Sequence, residues 1–143
     1  MDSELVLELP SDVRGIEAAV DHVLRRCSEC RTHARRLRLN LRVSLTEALS
    51  NAMLYGNASD PAKRVRVEVR LTAVAITARV IDEGGGFDPE TVPDPTTPQN
   101  LCRAGGRGLF LMRALMDEVR YNDRGNCVTL VLRLDEFGEA ASA

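Results

Sequence analysis

The chain has 143 residues, enough for one domain with its own core. With 44% hydrophobic and 28% charged residues it has the composition of an ordinary globular protein, and its net charge of −2 argues against a basic nucleic-acid surface. No apolar run approaches the ~20 residues that cross a bilayer, and the N-terminus lacks the charged-then-apolar signature of a secretory signal, so a cytoplasmic protein with no membrane partner is expected.

Residues Leu5, Leu7 and Leu9 alternate with Glu4, Val6 and Glu8, which predicts a first strand ended by Pro10. Ser11 or Asp12 can cap the helix that follows, in which Val13, Ile16, Val20, Val23, Leu24 and Cys27 recur at helical spacing to about Cys30. Cys27 and Cys30 form a C-x-x-C near His22 and His33, but no second ligand pair completes a structural zinc site, so free thiols are expected. Arg31 to Arg38 reads as a solvated turn. A second helix is predicted from Leu39 to about Tyr55, stopped by Gly56 and Asn57, with a turn from Ala58 to Pro61.

Two half-buried strands follow. Val65, Val67, Val69 and Leu71 make one apolar face, Ile76, Ala78 and Val80 the other, and Thr72-Ala73-Val74 suits a hairpin. The second strand runs into Asp82-Glu83-Gly84-Gly85-Gly86-Phe87-Asp88, where successive glycines mark close backbone approach. From Pro89 to Gly105 the chain is rich in proline and threonine and reads as a lid. Gly105 to Gly108 opens a third helix with Leu109, Met112, Leu115, Met116 and Val119 as its buried stripe. Strands at about Val119–Tyr121 and Cys127–Leu134, joined by the turn Asn122 to Asn126, complete a single domain over residues 3–135, with 136–143 as a frayed tail.

Three polar or glycine-rich stretches interrupt this pattern. Glu47 and Asn51 are four residues apart and share one helix face beside Leu45, Ala48, Leu49 and Ala52. A carboxylate beside an amide suits a general base next to a magnesium ligand. Asp82 at a strand end can accept a hydrogen bond from the exocyclic amine of adenine, with Gly84 and Gly86 letting a flat base approach the backbone. The first amides of the helix after Gly105 lack partners and suit phosphate. Lys63 is the only lysine and no G-x-x-x-x-G-K-[ST] occurs, which excludes a P-loop.

The order E-x-x-x-N-A, D-x-G-x-G-F-D and G-x-G-L-x-L-x-x-x-L-M-D-E-V resembles the GHKL (Bergerat-fold) ATPases, and within them the anti-sigma factor serine kinases of the RsbW type. The matching residues are Glu47, Asn51 and Ala52; Asp82, Gly84, Gly86, Phe87 and Asp88; and Gly106, Gly108, Leu109, Leu111, Leu115, Met116, Asp117, Glu118 and Val119. The resemblance implies an α+β two-layer sandwich, a mixed and mostly antiparallel sheet backed by three helices. It implies ATP and Mg2+ as cofactors, with Asn51 on magnesium, Asp82 on adenine, Gly106, Arg107, Gly108 and Leu109 at the phosphates, and Thr129 supporting the adenine site. Glu47 would be the catalytic base that activates a serine or threonine on an anti-anti-sigma (STAS-type) partner, and the same protein would sequester a sigma factor. Tyr55 stands where many members carry histidine, and the lid has no lysine. The alternative is a nucleotide-gated binding module without kinase activity. A two-component histidine kinase is disfavoured, because neither His22 nor His33 is followed by an acidic residue. Exposed apolar positions such as Val6 and Ile81 permit a homodimer.

Overall fold

The computed structural model describes residues 2–27, 37–84 and 106–134. Strand β1 (Ser3–Pro10) leads through a 3-10 turn (Val13–Gly15) into helix α1 (Ile16–Cys27). Of the two possible caps, Asp12 takes the role. Its carboxylate accepts the Arg14 amide at 3.0 Å and pairs with the Arg14 guanidinium at 2.7 Å, which holds the carboxyl at about 2. Cys27 is buried at the end of α1; Cys30, His33 and Cys102 lie outside the described residues, and no metal-binding cluster forms among those described.

Helix α2 (Arg42–Asn51) is flanked by two wider π-helical turns, Leu37–Leu41 and Ala52–Gly56. The helical run is therefore slightly longer than the Leu39–Tyr55 expected. At its end the Asn57 amide bonds back five residues to the Ala52 carbonyl at 2.7 Å. The chain then reverses through Ala58 and Ser59, both at positive φ (52° and 59°) and held by the Ser59 amide on the Met53 carbonyl at 2.8 Å.

Strands β2 (Arg64–Leu71) and β3 (Ala75–Ile81) form the expected hairpin, in which the Thr72 hydroxyl accepts the amides of Val74 and Ala75. Helix α3 (Gly106–Leu115) precedes β4 (Glu118–Tyr121) and β5 (Cys127–Arg133). The β4–β5 turn closes on the Asn122 carboxamide, which accepts the amides of Asn126 and Cys127, with Gly125 at φ 76°. Val119, read from the sequence as the last residue of the third helix's stripe as well as the start of a strand, belongs to β4 alone. Helix α3 ends at Leu115, where the Asn40 side chain takes the last carbonyl at 2.9 Å.

The five strands run in the order β1-β2-β3-β5-β4, and every described pairing is antiparallel. The sheet is thus not mixed, because β5 returns beside β3 after the α3–β4 excursion and runs against it. One face carries Val65, Val67, Val69, Ile76, Ala78, Val80, Val128, Leu130 and Leu132 into the core. Three helices cover that face with Val20, Val23, Leu45, Leu49, Met53, Leu109 and Met112. The period-two alternation of the strands and the helical stripe of each helix meet in one apolar layer, which fixes the register. The opposite face is polar, laced by Arg66–Glu68–Arg79 ion pairs at 2.8 Å. Val6 is half-exposed on it. No helix among the described residues is long and apolar enough to cross a membrane.

Candidate nucleotide site

Helix α2 is the positioning element. Leu45, Ala48 and Leu49 lock it into the core, so Glu47 and Asn51, half-buried on an adjacent face, are carried toward the start of α3. Gly108 is what permits the approach. A Cβ there would lie 2.9 Å from Glu47 Oε2 and 3.2 Å from Asn51 Nδ2, so any larger residue would push the helices apart or displace both side chains. Leu109 turns inward and is buried, which anchors the first turn of α3, whereas the Arg107 side chain is exposed. The first amides of α3 are left without intrahelical acceptors at this junction. The Glu47 carboxylate makes no hydrogen bond or ion pair among the described residues.

Asp82 ends β3 beside the β5 turn, its amide bonded to the Asn126 carbonyl at 2.9 Å. It is only 7% exposed. Oδ1 accepts the Gly84 amide at 2.8 Å, and no donor among the described residues reaches Oδ2. Burial pushes the carboxyl above its ordinary range, against the pull of the Gly84 amide and the charges of Lys63 and Arg124. Gly56 lies directly over this carboxylate, and a Cβ there would sit 2.3 Å from Oδ2. Gly84 in turn packs on the Gly56 carbonyl so closely that a Cβ would fall 1.5 Å from it.

Asn57 holds this arrangement from behind. It is fully buried, and its side-chain nitrogen donates to Ser11 Oγ at 2.8 Å and the Arg64 carbonyl at 3.0 Å. Its oxygen accepts the Glu83 amide at 2.8 Å. The Glu83 carboxylate accepts the Arg64 amide. One side chain thus ties the end of the helical run to β1, β2 and the turn after β3.

Asn51 and Asp82 open onto one narrow pocket, floored by Val80 and Val128 and flanked by Tyr121 and Asn126. Of the residues singled out from the sequence, the structure brings Glu47, Asn51, Gly108 and the start of α3 together at one end, and Asp82 with Gly84 at the other. Gly86, Phe87 and Asp88, with the lid from Pro89 to Gly105, lie outside the described residues. Thr129 is a correction. Its neighbours Val128 and Leu130 point into the core, so alternation puts Thr129 on the opposite face of the sheet, between Arg79 and Arg120. Asn126, not Thr129, is the β5-side polar residue at the pocket. Sequence reading also passed over Tyr121 and treated Asn57 only as a helix stop.

A family model described as a histidine kinase-like ATPase domain matches residues 8–132. This chain belongs to that family. Asn51 and Ala52 of its first motif and Asp82 of its second line the pocket just described, and its sandwich is consistent with the Bergerat architecture of the GHKL group. The chain is 30% identical over 104 residues to the serine-protein kinase RsbW of Listeria innocua, covering 68% of this chain and 66% of that protein. It is 32% identical over 87 residues to the serine-protein kinase RsbW of Bacillus subtilis, covering 57% and 54%. Over 91 residues it is 29% identical to the serine/threonine-protein kinase BtrW of Bordetella bronchiseptica, covering 62% and 64%. It therefore spans between about half and two thirds of the length of these curated relatives.

Proposed function

We propose that this chain is an ATP-dependent protein serine/threonine kinase of the partner-switching kind, phosphorylating an anti-anti-sigma protein and sequestering a sigma factor. One observation carries the reading: a buried carboxylate with one oxygen unengaged among the described residues (Asp82) shares a pocket with a half-buried amide (Asn51), beside a carboxylate that has no partner among the described residues (Glu47). The relatives' names as serine and serine/threonine kinases support the reaction class.

The residues fit a magnesium nucleotide. Asp82 Oδ2 suits an exocyclic amine, because a buried acceptor without a donor is costly until a ligand supplies one. Val80 and Val128 would give a base an apolar floor, and Gly56 and Gly84 let the main chain approach the Asp82 carboxylate closely. Asn51 offers an amide oxygen to the metal, which when bound neutralises phosphate charge. The first amides of α3 face the phosphate end. Glu47, one helical turn before Asn51, would take the proton of the attacking hydroxyl, whose oxygen bonds to the γ-phosphorus as the bond from that phosphorus to the β,γ-bridging oxygen breaks and ADP leaves.

Isothermal titration with ATP, with and without magnesium, tests the site beside an Asp82→Asn variant. Binding that the variant loses supports it, and no binding to the wild type overturns it. Phosphate transfer to a serine of a captured partner, abolished by Glu47→Ala with ATP binding retained, supports the kinase assignment. Binding without transfer to any partner would leave a nucleotide-gated binding module instead.

A further inference from the structure

A line of polar side chains runs down the seam between α2 and α3. Asn40, Ser44, Glu47 and Asn51 recur at helical spacing and so share one side of the α2 run. The Asn40 side chain reaches the Leu115 carbonyl at the end of α3, at 2.9 Å. Glu47 and Asn51 meet Gly108 near its start. The two helices therefore run antiparallel with this line between them. Ser44 falls midway, where α3 continues from Gly108 through Leu111 and Met112 to Leu115. Neither of those two side chains offers an oxygen or a nitrogen.

Ser44 is fully buried, and its hydroxyl has no hydrogen-bond partner among the described residues. An unpaired buried hydroxyl is costly, and an alanine would fill the same turn without that cost. Two acceptors lie on its line, the Asn40 side-chain oxygen and the Glu47 carboxylate. Asn40 is fixed by its bond to the Leu115 carbonyl. Glu47 is three residues on from Ser44, a neighbouring position on a helix surface, and it is bound to nothing among the described residues, so it is free to turn.

The place that Glu47 now occupies gives it a reason to turn. Its Oε2 lies 2.9 Å from where a Gly108 Cβ would be, beside the first turn of α3. A polyphosphate seated on the first amides of α3 would bring negative charge against this carboxylate, and like charges at short range repel strongly in a partly buried site. We propose that Ser44 is a positioning residue for Glu47. When phosphate occupies the start of α3, the carboxylate turns back along its own helix, and one of its oxygens accepts the Ser44 hydroxyl. The turn relieves the repulsion and holds the carboxylate by one oxygen, leaving the other open. The inference rests on the nucleotide reading above.

The test combines calorimetric titration with ATP in excess magnesium and urea denaturation of the ligand-free protein. Ser44→Ala is expected to raise the ATP dissociation constant by roughly three- to tenfold, the worth of one hydrogen bond made only in the bound state. The ligand-free variant should be as stable as the wild type or more so, because the hydroxyl it loses is unpaired there. On a Glu47→Ala background no carboxylate remains to receive the hydroxyl, and Ser44→Ala should then change the dissociation constant by less than about twofold. Equal weakening on both backgrounds would mean a merely structural role and overturn the proposal. So would an unchanged affinity in Ser44→Ala beside a wild type that binds ATP, with the nucleotide reading left standing. A ligand-free Ser44→Ala less stable than the wild type would show the hydroxyl already paired, and would overturn it too. A wild type that binds no ATP would overturn both the proposal and the nucleotide reading.

Discussion

Replacing Gly56 by alanine separates the geometry of the pocket from the stability of the fold. Gly56 is not at positive φ, so an alanine there carries no backbone penalty and acts only through the space its methyl needs. That methyl would lie 2.3 Å from Asp82 Oδ2 and 2.5 Å from Cγ, about 1 Å inside normal contact. The carboxylate cannot yield freely, because Oδ1 is held by the Gly84 amide at 2.8 Å. Overpacking of this kind costs about 1–3 kcal/mol, offset by about 0.4–1 kcal/mol from the stiffer unfolded chain, for a net loss of roughly 0.5–2 kcal/mol. A displaced Asp82 would also forfeit the bond to the base proposed above, about 1.5–3 kcal/mol for a charged acceptor, or a ~10- to 150-fold rise in the ATP dissociation constant. Gly15→Ala is the control, since nothing lies within 4 Å of a Cβ there. It should be neutral or slightly stabilising and bind ATP normally. Urea denaturation and calorimetric titration on the pair read both quantities. If Gly56→Ala matches Gly15→Ala in stability and binds ATP within about twofold of wild type, the contact between Gly56 and Asp82 does not constrain the site.

Asp82→Asn should lose ATP binding yet leave the free protein as stable or more stable at neutral pH. Because burial raises the folded carboxyl above its ordinary 3.8, the folded state holds the proton more tightly than the unfolded one, and stability falls as pH rises through that window. The variant should lack this fall in a comparison of denaturation midpoints at acidic and neutral pH; an identical fall in both would refute the assignment. Glu47→Gln should reduce phosphotransfer by roughly 100-fold or more while the ATP dissociation constant stays within a few-fold, measured by single-turnover transfer beside titration. Asn57→Ala removes three part-buried side-chain hydrogen bonds, including those to the Glu83 amide and the Arg64 carbonyl, which should cost about 1.5–4 kcal/mol in urea denaturation.

The strands were legible because β2 alternates arginine or glutamate with valine, and β3 alternates Ile76, Ala78 and Val80 with Thr77 and Arg79. The helices were legible from their stripes. Their ends were less so: the π-helical turns at Leu37–Leu41 and Ala52–Gly56 are set by where the core and the Gly56–Gly84 contact require the chain to be, not by local preference. Thr129 is implied at the adenine site by the resemblance alone, whereas the alternation of Val128, Leu130 and Leu132 turns it away from the helices. The site's two ends were legible as motifs, since glycines and carboxylates at element ends stand out against an apolar pattern. Tyr121, Asn126 and Asn57 were not, because a tyrosine in a strand and an asparagine in a turn carry no signal until register brings them to the pocket.

The close seating of Gly84 on the Gly56 carbonyl holds the Asp82 carboxylate against main chain, whose shape is the same for any sequence that keeps both glycines. The rest of the pocket is lined by side chains, Ala48, Asn51 and Ala52 from the helix and Val80, Tyr121, Asn126 and Val128 from the sheet side. Divergence in what the pocket accepts, acquired naturally or by selection in the laboratory, should accumulate at these side chains and leave the two glycines untouched.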